Sequence, residues 1–568
     1  MSVVQHGAAL ALVFPSVRSL TLIAGSLTVD ESWSPHVQVS AEIAMPNAAT
    51  LALLDPKQDR RLNLFPDSHD KATDEFVYSS FFNLRLREVE HNHEDNTLTL
   101  RLESAECLLQ DKTHNAATPD YSAYARQASL RSIVNAELSK VGGSLEPGPD
   151  TSFYVLSEIT NLIPNPSAET NALFWMGGGS FTIARSTAQA WRGSASIAVT
   201  ATAAGSMAVF GCDTTQYLPT VPGTRYSFSA YVRGSVTRNA FLRLRWLDKD
   251  NNTLSDTPGP NVSVGAGGWT RIVLHDQLAP AGAVKVAPII TMSGVATGNV
   301  MYIDGAMLVD QAPGTDSYFV VQDFFDGAGG TGPAAALYSY SWTGTIQNSA
   351  SRRTPLIDRA WELLALQPGV SSWDFLDPMI QAAGFRLFVD DTGAWYMVDG
   401  ATHTAPGATQ LSSKTNVTSA DNSMSRDGDE WFDAAVMRYR WRDARGNERL
   451  AVDTYAPAGS TKTATFELEK PYPGPGLARY AVRRAAGKGR SIRIDALSDY
   501  RARASQEVRI TLPNIPEQTG VIRSVSWDFE TGLMRVETRG LTDTPPGSWL
   551  AQEITWADVP ESTTWSTF

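Results

Sequence analysis

Cysteine is almost absent from this chain: Cys107 and Cys212 are the only two in 568 residues. A disulfide-stapled architecture is excluded, and two buried free thiols are expected, as in a chain built in a reducing cytoplasm. No run reaches the ~18 consecutive apolar residues that a membrane helix needs. The apolar stretch from Ala8 to Phe14 is preceded by no Lys or Arg and ended by Pro15, so it does not read as a signal peptide. Positive charge is short as well. Lys and Arg number 47 against 60 Asp and Glu, giving a net charge of −13 and a pI near 5.2. That balance argues against a nucleic-acid binder, which must neutralise phosphates. Catalytic signatures are missing too: no Gly-x-Ser-x-Gly elbow between strand and helix, no His-Glu-x-x-His, no phosphate-binding glycine loop and no cysteine ligand cluster. Carboxylates are plentiful, so a glycosidase pair stays open, but a non-enzyme is expected.

What is present is apolar patterning. Hydrophobic residues make up 42% of the chain, enough for several cores over this length. The middle third, from about Asn161 to Trp342, carries short runs of period two: Ser196 to Thr200, Tyr226 to Val232, Phe241 to Leu247 and Trp269 to Leu274. Gly, Pro, Asn and Asp punctuate them, the pattern of a two-sheet antiparallel sandwich. Trp175, Trp191, Tyr217, Tyr231 and Trp246 are aromatic enough to stack on a sugar ring. Tyr231 and Trp246 sit in strongly alternating runs and are expected in the core. Trp175, beside Gly177-Gly178-Gly179, and Trp191, before Arg192-Gly193, are the candidate glycan contacts.

Both flanks are also β-rich. Phe82 to Val89 and Thr97 to Leu102 read as a hairpin, with His91 and His93 at its polar tip. No third His or Cys lies near them, so a solvated turn is the expected reading. The period becomes helical between residues 120 and 142. Beyond the middle third, Ser351 to Leu366 reads as a helix with Leu356, Ile357, Ala360, Trp361 and Leu364 on one side. A second helix, capped by Ser372, carries Trp373, Leu376, Met379 and Ile380. A hairpin turning at Asp391-Thr392-Gly393 follows, then a strand with Arg438, Arg440 and Arg442 on one face, expected to pair with acidic residues. The last residues, after Pro546, hold Trp549, Trp556 and Trp565, which suggests docking on a neighbouring subunit.

Two resemblances follow from particular residues. Asn161-Leu162-Ile163-Pro164-Asn165-Pro166-Ser167-Ala168-Glu169, with Tyr302-Ile303-Asp304-Gly305 near the exit, resembles the entry and exit of carbohydrate-binding β-sandwich (jelly-roll) modules. That resemblance implies glycan binding and a structural calcium on Glu169 and Asp304. Leu27-Thr28-Val29-Asp30-Glu31-Ser32-Trp33-Ser34-Pro35 and Leu100 to Glu106 resemble the minor tail proteins of actinobacterial long-tailed (siphovirus) bacteriophages, as do the two helices and hairpin after residue 346. That family implies a homotrimeric tail-tip hub in the virion, assembled in the host cytoplasm. Its partners would be the distal tail protein, the tape-measure protein and other tip proteins, with genome DNA only in transit and host cell-wall glycan as a further contact.

The expected fold is therefore mainly β (α+β): hub β-barrel-like domains with a few short helices, interrupted by an inserted antiparallel sandwich. The expected divisions are 1–155, an insert at 156–345, 346–400, 401–545 and an arm at 546–568. A glycan-degrading enzyme carrying a sugar-binding module is the alternative, and a spacer role for the sandwich is a third reading.

Overall fold

The computed structural model describes residues 4–70, 75–311, 323–424, 431–443, 446–485 and 490–543. The arm at 546–568, with its three tryptophans, lies outside the described residues. The fold is mainly β, with several antiparallel sheets and few, short helices. The chain divides into two compact units. The first joins residues 1–154, 363–440 and 450–568; the second holds 155–362 and 441–449.

The first unit is organised by a 14-stranded sheet drawn from both ends of the chain. Its N-terminal strands run in the order Arg18–Leu20, Val4–Phe14, Arg61–Asp70, Phe82–Asn92, Thr97–Glu103, Val37–Ala44 and Leu22–Asp30. The C-terminal strands continue it as Gln518–Asp528, Leu533–Asp543, Arg490–Leu497 and Val417–Met424. The seam is antiparallel, Ser26 opposite Asp528 through Asp30 opposite Ser524. Thr28 and Ser526 hydroxyls meet across it at 2.8 Å. Alternation explains the seam. Leu27 and Val29 face inward beside Val525 and Trp527, and all four are buried in one core with Val39, Leu100, Ile494 and Val536. Trp527 fixes its position by donating from Nε1 to the Asp499 carbonyl at 3.1 Å.

Three local expectations change. Residues 120–142 do not form one helix: a 3₁₀ turn, Ser122–Arg126, precedes the helix Leu130–Ser139, whose cap Ser129 accepts from the Ser132 N–H at 3.0 Å. Ser351 to Leu366 is not a helix. Ser351–Pro355 is a strand between Tyr338–Trp342 and Ile159–Asn161, and only Trp361–Leu364 coils, as a 3₁₀ turn. The reason is tertiary. Ser351 and Arg353 are buried on one side of that strand, and the Arg353 guanidinium lies over Tyr338 (4.3 Å) and Phe325 (5.0 Å). Of the helical stripe, Leu356 and Ile357 stay exposed, while Ala360 and Leu364 are buried beyond the strand. The next helix, Ser372–Ala382, is capped by Ser371 rather than Ser372.

The second unit is a two-layer sandwich. One sheet orders Phe181–Ser186, Ser196–Ala201, Val300–Gln311, Arg225–Gly234 and Thr270–Leu278. The other is built on Gly205–Phe210, Lys285–Val295, Arg238–Leu247 and Thr253–Pro258. Between them lies a core that includes Trp175, Val199, Phe228, Leu242, Leu244, Trp246, Ile290 and Ile303.

Candidate functional site

In the sandwich unit, Glu169 and Asp304 come together on one loop, Trp191 to Ala195. Asp304 is buried. Its Oδ2 accepts the N–H groups of Trp191 (2.8 Å) and Arg192 (3.1 Å), and its Oδ1 accepts that of Gly305 (2.7 Å). Glu169 accepts from the Ser194 N–H at 3.0 Å and the Ser194 hydroxyl at 2.8 Å. Burial pushes the Asp304 carboxyl up to about 7; the N–H donors oppose that rise and the nearby Glu169 charge adds to it. Two carboxylates are an oxygen-only donor set, the chemistry a hard cation prefers. Among the described residues no third Asp, Glu, His or Cys joins them. Any further ligands would have to be main-chain carbonyls or water.

The two candidate sugar platforms are packed. Trp175 is 5% exposed and donates from Nε1 to the Asn165 carbonyl at 2.8 Å, so it offers no open ring face. Trp191 stacks on Tyr231 with centroids 3.5 Å apart and meets Phe324 edge-on at 5.5 Å. Gly305 makes this packing possible: its φ is +54°, and a Cβ there would stand 2.7 Å from the Trp191 ring. Trp246 is fully buried and donates to Thr257 Oγ1 at 2.9 Å, while Tyr217 packs half-buried at the margin of the core.

The open chemistry lies instead on the outer face of the other sheet. Leu242, Leu244 and Trp246 point into the core, so Phe241, Arg243 and Arg245 of the same strand point out and are half-buried. Phe241 stands opposite Thr291, Arg243 opposite Ile289, and Phe210 opposite Ile289 from the far side. Asp256 pins both arginines: Arg245 binds it through Nε (2.9 Å) and Nη2 (3.1 Å), and Arg243 through Nη1 (3.1 Å). The hydrogen bond from Arg245 holds the Asp256 carboxyl below its usual range. Thr291 Oγ1 and Arg243 Nε are buried without a hydrogen-bond partner. The alternation of Phe241 to Trp246 was visible in the sequence, but the aspartate that orders the arginines is a neighbour only through the strand pairing.

The scaffold unit contains a separate buried constellation. The Glu31 carboxylate receives Arg484 Nη2 at 3.0 Å, Arg539 Nη2 at 2.9 Å and the Ser505 hydroxyl at 3.1 Å. Arg386 Nη1 binds the Glu31 carbonyl at 2.9 Å. Burial alone would raise the Glu31 pKa; the Arg539 hydrogen bond and the charges of Arg484, Arg539 and Arg386 reverse this and hold it below the usual carboxylate value. Burial pushes Arg386 down to about 10. His91 and His93 stack on each other at 5.8 Å on the hairpin tip, and no metal-ligating group forms among the described residues. In the arginine row, Arg438 pairs with Glu467 at 3.1 Å. Both cysteines are buried and free, their thiols pushed up to about 12 by burial.

No family model and no curated protein matches the chain. Solved structures do. Over 94% of its length the chain is similar to 98% of the prophage MuSo2 43 kDa tail protein from Shewanella oneidensis, at 9% identity and a TM-score of 0.37. Over 28% of its length it is similar to 97% of the CBM22-1 xylan-binding domain of Paenibacillus barcinonensis Xyn10C, at 13% identity and a TM-score of 0.21. It is also similar, over 26% of its length and at 18% identity, to the enzymatically active domain of bacteriophage CBA120 tailspike protein 4, of which it spans only 21%, with a TM-score of 0.21.

Proposed function

We propose that this chain is a structural virion protein of a siphovirus, a trimeric tail-tip hub whose sandwich unit binds host cell-wall glycan. The observation that carries the reading is the seam between Leu22–Asp30 and Gln518–Asp528, which makes one scaffold of the two ends and leaves the middle as a separate unit. In a hub, three such scaffolds would close the end of the tail tube. They would sit between the tape-measure protein and the tip proteins and beside the distal tail protein, with genome DNA passing through. Symmetric closure would also cover strand edges. The role proposed is mechanical and adhesive.

The glycan surface is the outer face carrying Phe210, Phe241, Arg243, Arg245 and Thr291. The aromatic rings offer stacking and the arginines are pre-ordered by Asp256. Weak single contacts would be multiplied by three copies. Phe241→Ala and Arg243→Ala are each expected to lower co-sedimentation with purified host walls by about tenfold, equivalent to roughly 1.4 kcal/mol. Unchanged sedimentation by both variants, with trimers intact, would assign the sandwich to a spacer role. Release of reducing sugar from the walls would favour the enzyme alternative.

Glu169 and Asp304 seat a structural calcium in this reading, tying the Trp191 to Ala195 loop to the sheet. The test follows from the titration of Asp304. Its folded pKa, about 7, lies above the unfolded value of 3.8. The folded form therefore holds the proton through that interval. This contribution to stability is complete below about pH 4 and lost as pH climbs through 7, amounting to at most ~4 kcal/mol for about three pH units. Calorimetry of the metal-stripped protein should show the sandwich transition moving down between about pH 4 and 7, and calcium at pH 8 should restore it. If calcium leaves the transition unmoved, the two carboxylates act only as hydrogen-bonded clamps on the loop.

A further inference from the structure

A cavity of about 350 Å³ opens in the scaffold unit, and nothing in the hub or glycan reading uses it. Its walls include Trp33, Trp373, Asp377, Gln381, Arg386 and Arg484, and Glu31 is at its edge. The lining is unusual for a structural seam. Trp33 is 44% exposed, a large apolar side chain standing free beside charged groups. A second hollow of about 330 Å³ lies against the same indole, so Trp33 forms a ridge between two depressions. Three guanidinium groups converge on the single Glu31 carboxylate, leaving local positive charge in excess. Arg386 Nη2 is buried and has no hydrogen-bond partner. Asp377 is already engaged by Gln381 Nε2 at 2.6 Å and does not supply one. The cavity suits an occupant that carries both an aromatic ring and a carboxylate.

The chain itself contains such a segment. After Arg539 there is no Lys or Arg, and residues 544–568 hold Trp549, Trp556 and Trp565 interleaved with Glu553, Asp558 and Glu561. Its starting point is set by the fold. Arg539 of the strand Leu533–Asp543 grips the Glu31 carboxylate from within that strand. Asp543 is four residues further on, about 13 Å along a strand. Twenty-five residues can extend roughly 80 Å from there, far more than the return to the cavity requires.

We propose that the acidic, tryptophan-bearing segment 544–568 docks on its own scaffold at this cavity, with an indole against Trp33 and Trp373 and a carboxylate toward Arg386 and Arg484. The test is hydroxyl-radical footprinting of the full-length protein, read by mass spectrometry at each tryptophan. Trp33 and Trp373 should be protected in the wild-type chain. In the Trp549→Ala/Trp556→Ala/Trp565→Ala variant they should oxidise several-fold faster. A second variant, Trp33→Ala, leaves the segment intact and should make its three tryptophans more reactive. Equal Trp33 reactivity in wild type and triple variant overturns the proposal. Protection that fades on dilution, in step with loss of oligomer, also overturns it, because the segment would then come from another copy.

Discussion

Replacing residues 155–362 by a short Gly/Ser linker is expected to leave a folded, assembly-competent scaffold that no longer adsorbs to host walls. The geometry for the closure is already present in the scaffold unit. On the entry side, Phe153 N–H donates to the Gln127 carbonyl at 2.8 Å and Leu130 N–H to the Thr151 carbonyl at 2.8 Å. On the exit side, Leu366 and Asp120 exchange backbone hydrogen bonds at 3.0 Å. Residues 120 and 127 bracket the 3₁₀ turn Ser122–Arg126, so the two cut ends emerge near one another and a short linker closes them at small entropic cost. The scaffold core is contiguous without the sandwich: its buried members come from residues 10–102 and 411–541 only. Sedimentation should therefore find the wild-type oligomer, and the scaffold transition should stay near its wild-type temperature, while wall adsorption falls to background. Loss of the oligomer would make the sandwich part of the assembly machinery. Retained adsorption would move receptor binding to the scaffold.

Glu31→Ala is expected to be the most damaging single substitution in the scaffold, at ~3–5 kcal/mol, because it strands buried guanidinium groups without their counter-charge. Arg386, Arg484 and Arg539 have 11%, 13% and 11% of their side chains exposed, against 1% for Glu31, so the lost counter-charge is only partly replaced by solvation. Glu31→Gln should be milder, since an amide oxygen can still accept from one guanidinium. The cluster also sets an acid limit. The folded pKa of Glu31 lies below its unfolded value, so its contribution is present above the ordinary carboxylate range and is lost as pH falls through the lowered value. Urea midpoints between pH 7 and 3 should drop more steeply for wild type than for Glu31→Gln. Parallel curves would mean that the three arginines do not hold Glu31 charged.

Much of the architecture could be read from period-two alternation. The Phe82 hairpin and the pairing of Phe385–Val389 with Trp395–Asp399 are local patterns whose turns lie between adjacent strands, and the runs of the sandwich alternate strand by strand. The mainly β class follows from them. What alternation cannot supply is the identity of a distant neighbour. Nothing in Leu27-Thr28-Val29 names Val525-Ser526-Trp527 as the partner strand; the match is one of shape and burial over nearly five hundred residues. The same limit applies to Glu31, whose three arginines come from widely separated segments. Ser351 to Leu366 misleads for a related reason. Its apolar spacing is helical, but a buried Arg353 stacked on two aromatic rings outweighs local propensity. Trp175 and Trp191 stand out in the sequence by their neighbouring glycines, which here serve close packing: Gly193 stands against the Glu169 carboxylate and Gly177 against the Phe181 ring.

The joining of the two chain ends can be tested by a Thr28→Cys/Ser526→Cys variant. The two residues stand directly opposite each other in the antiparallel register with their hydroxyls 2.8 Å apart, and the two natural cysteines are buried. Mild oxidation of a mixture of isotopically light and heavy chains, followed by digestion and mass spectrometry, should give a linked peptide pair in which both halves carry the same label. No linkage, or a link formed equally between light and heavy chains, would contradict a scaffold in which each chain pairs its own beginning with its own end.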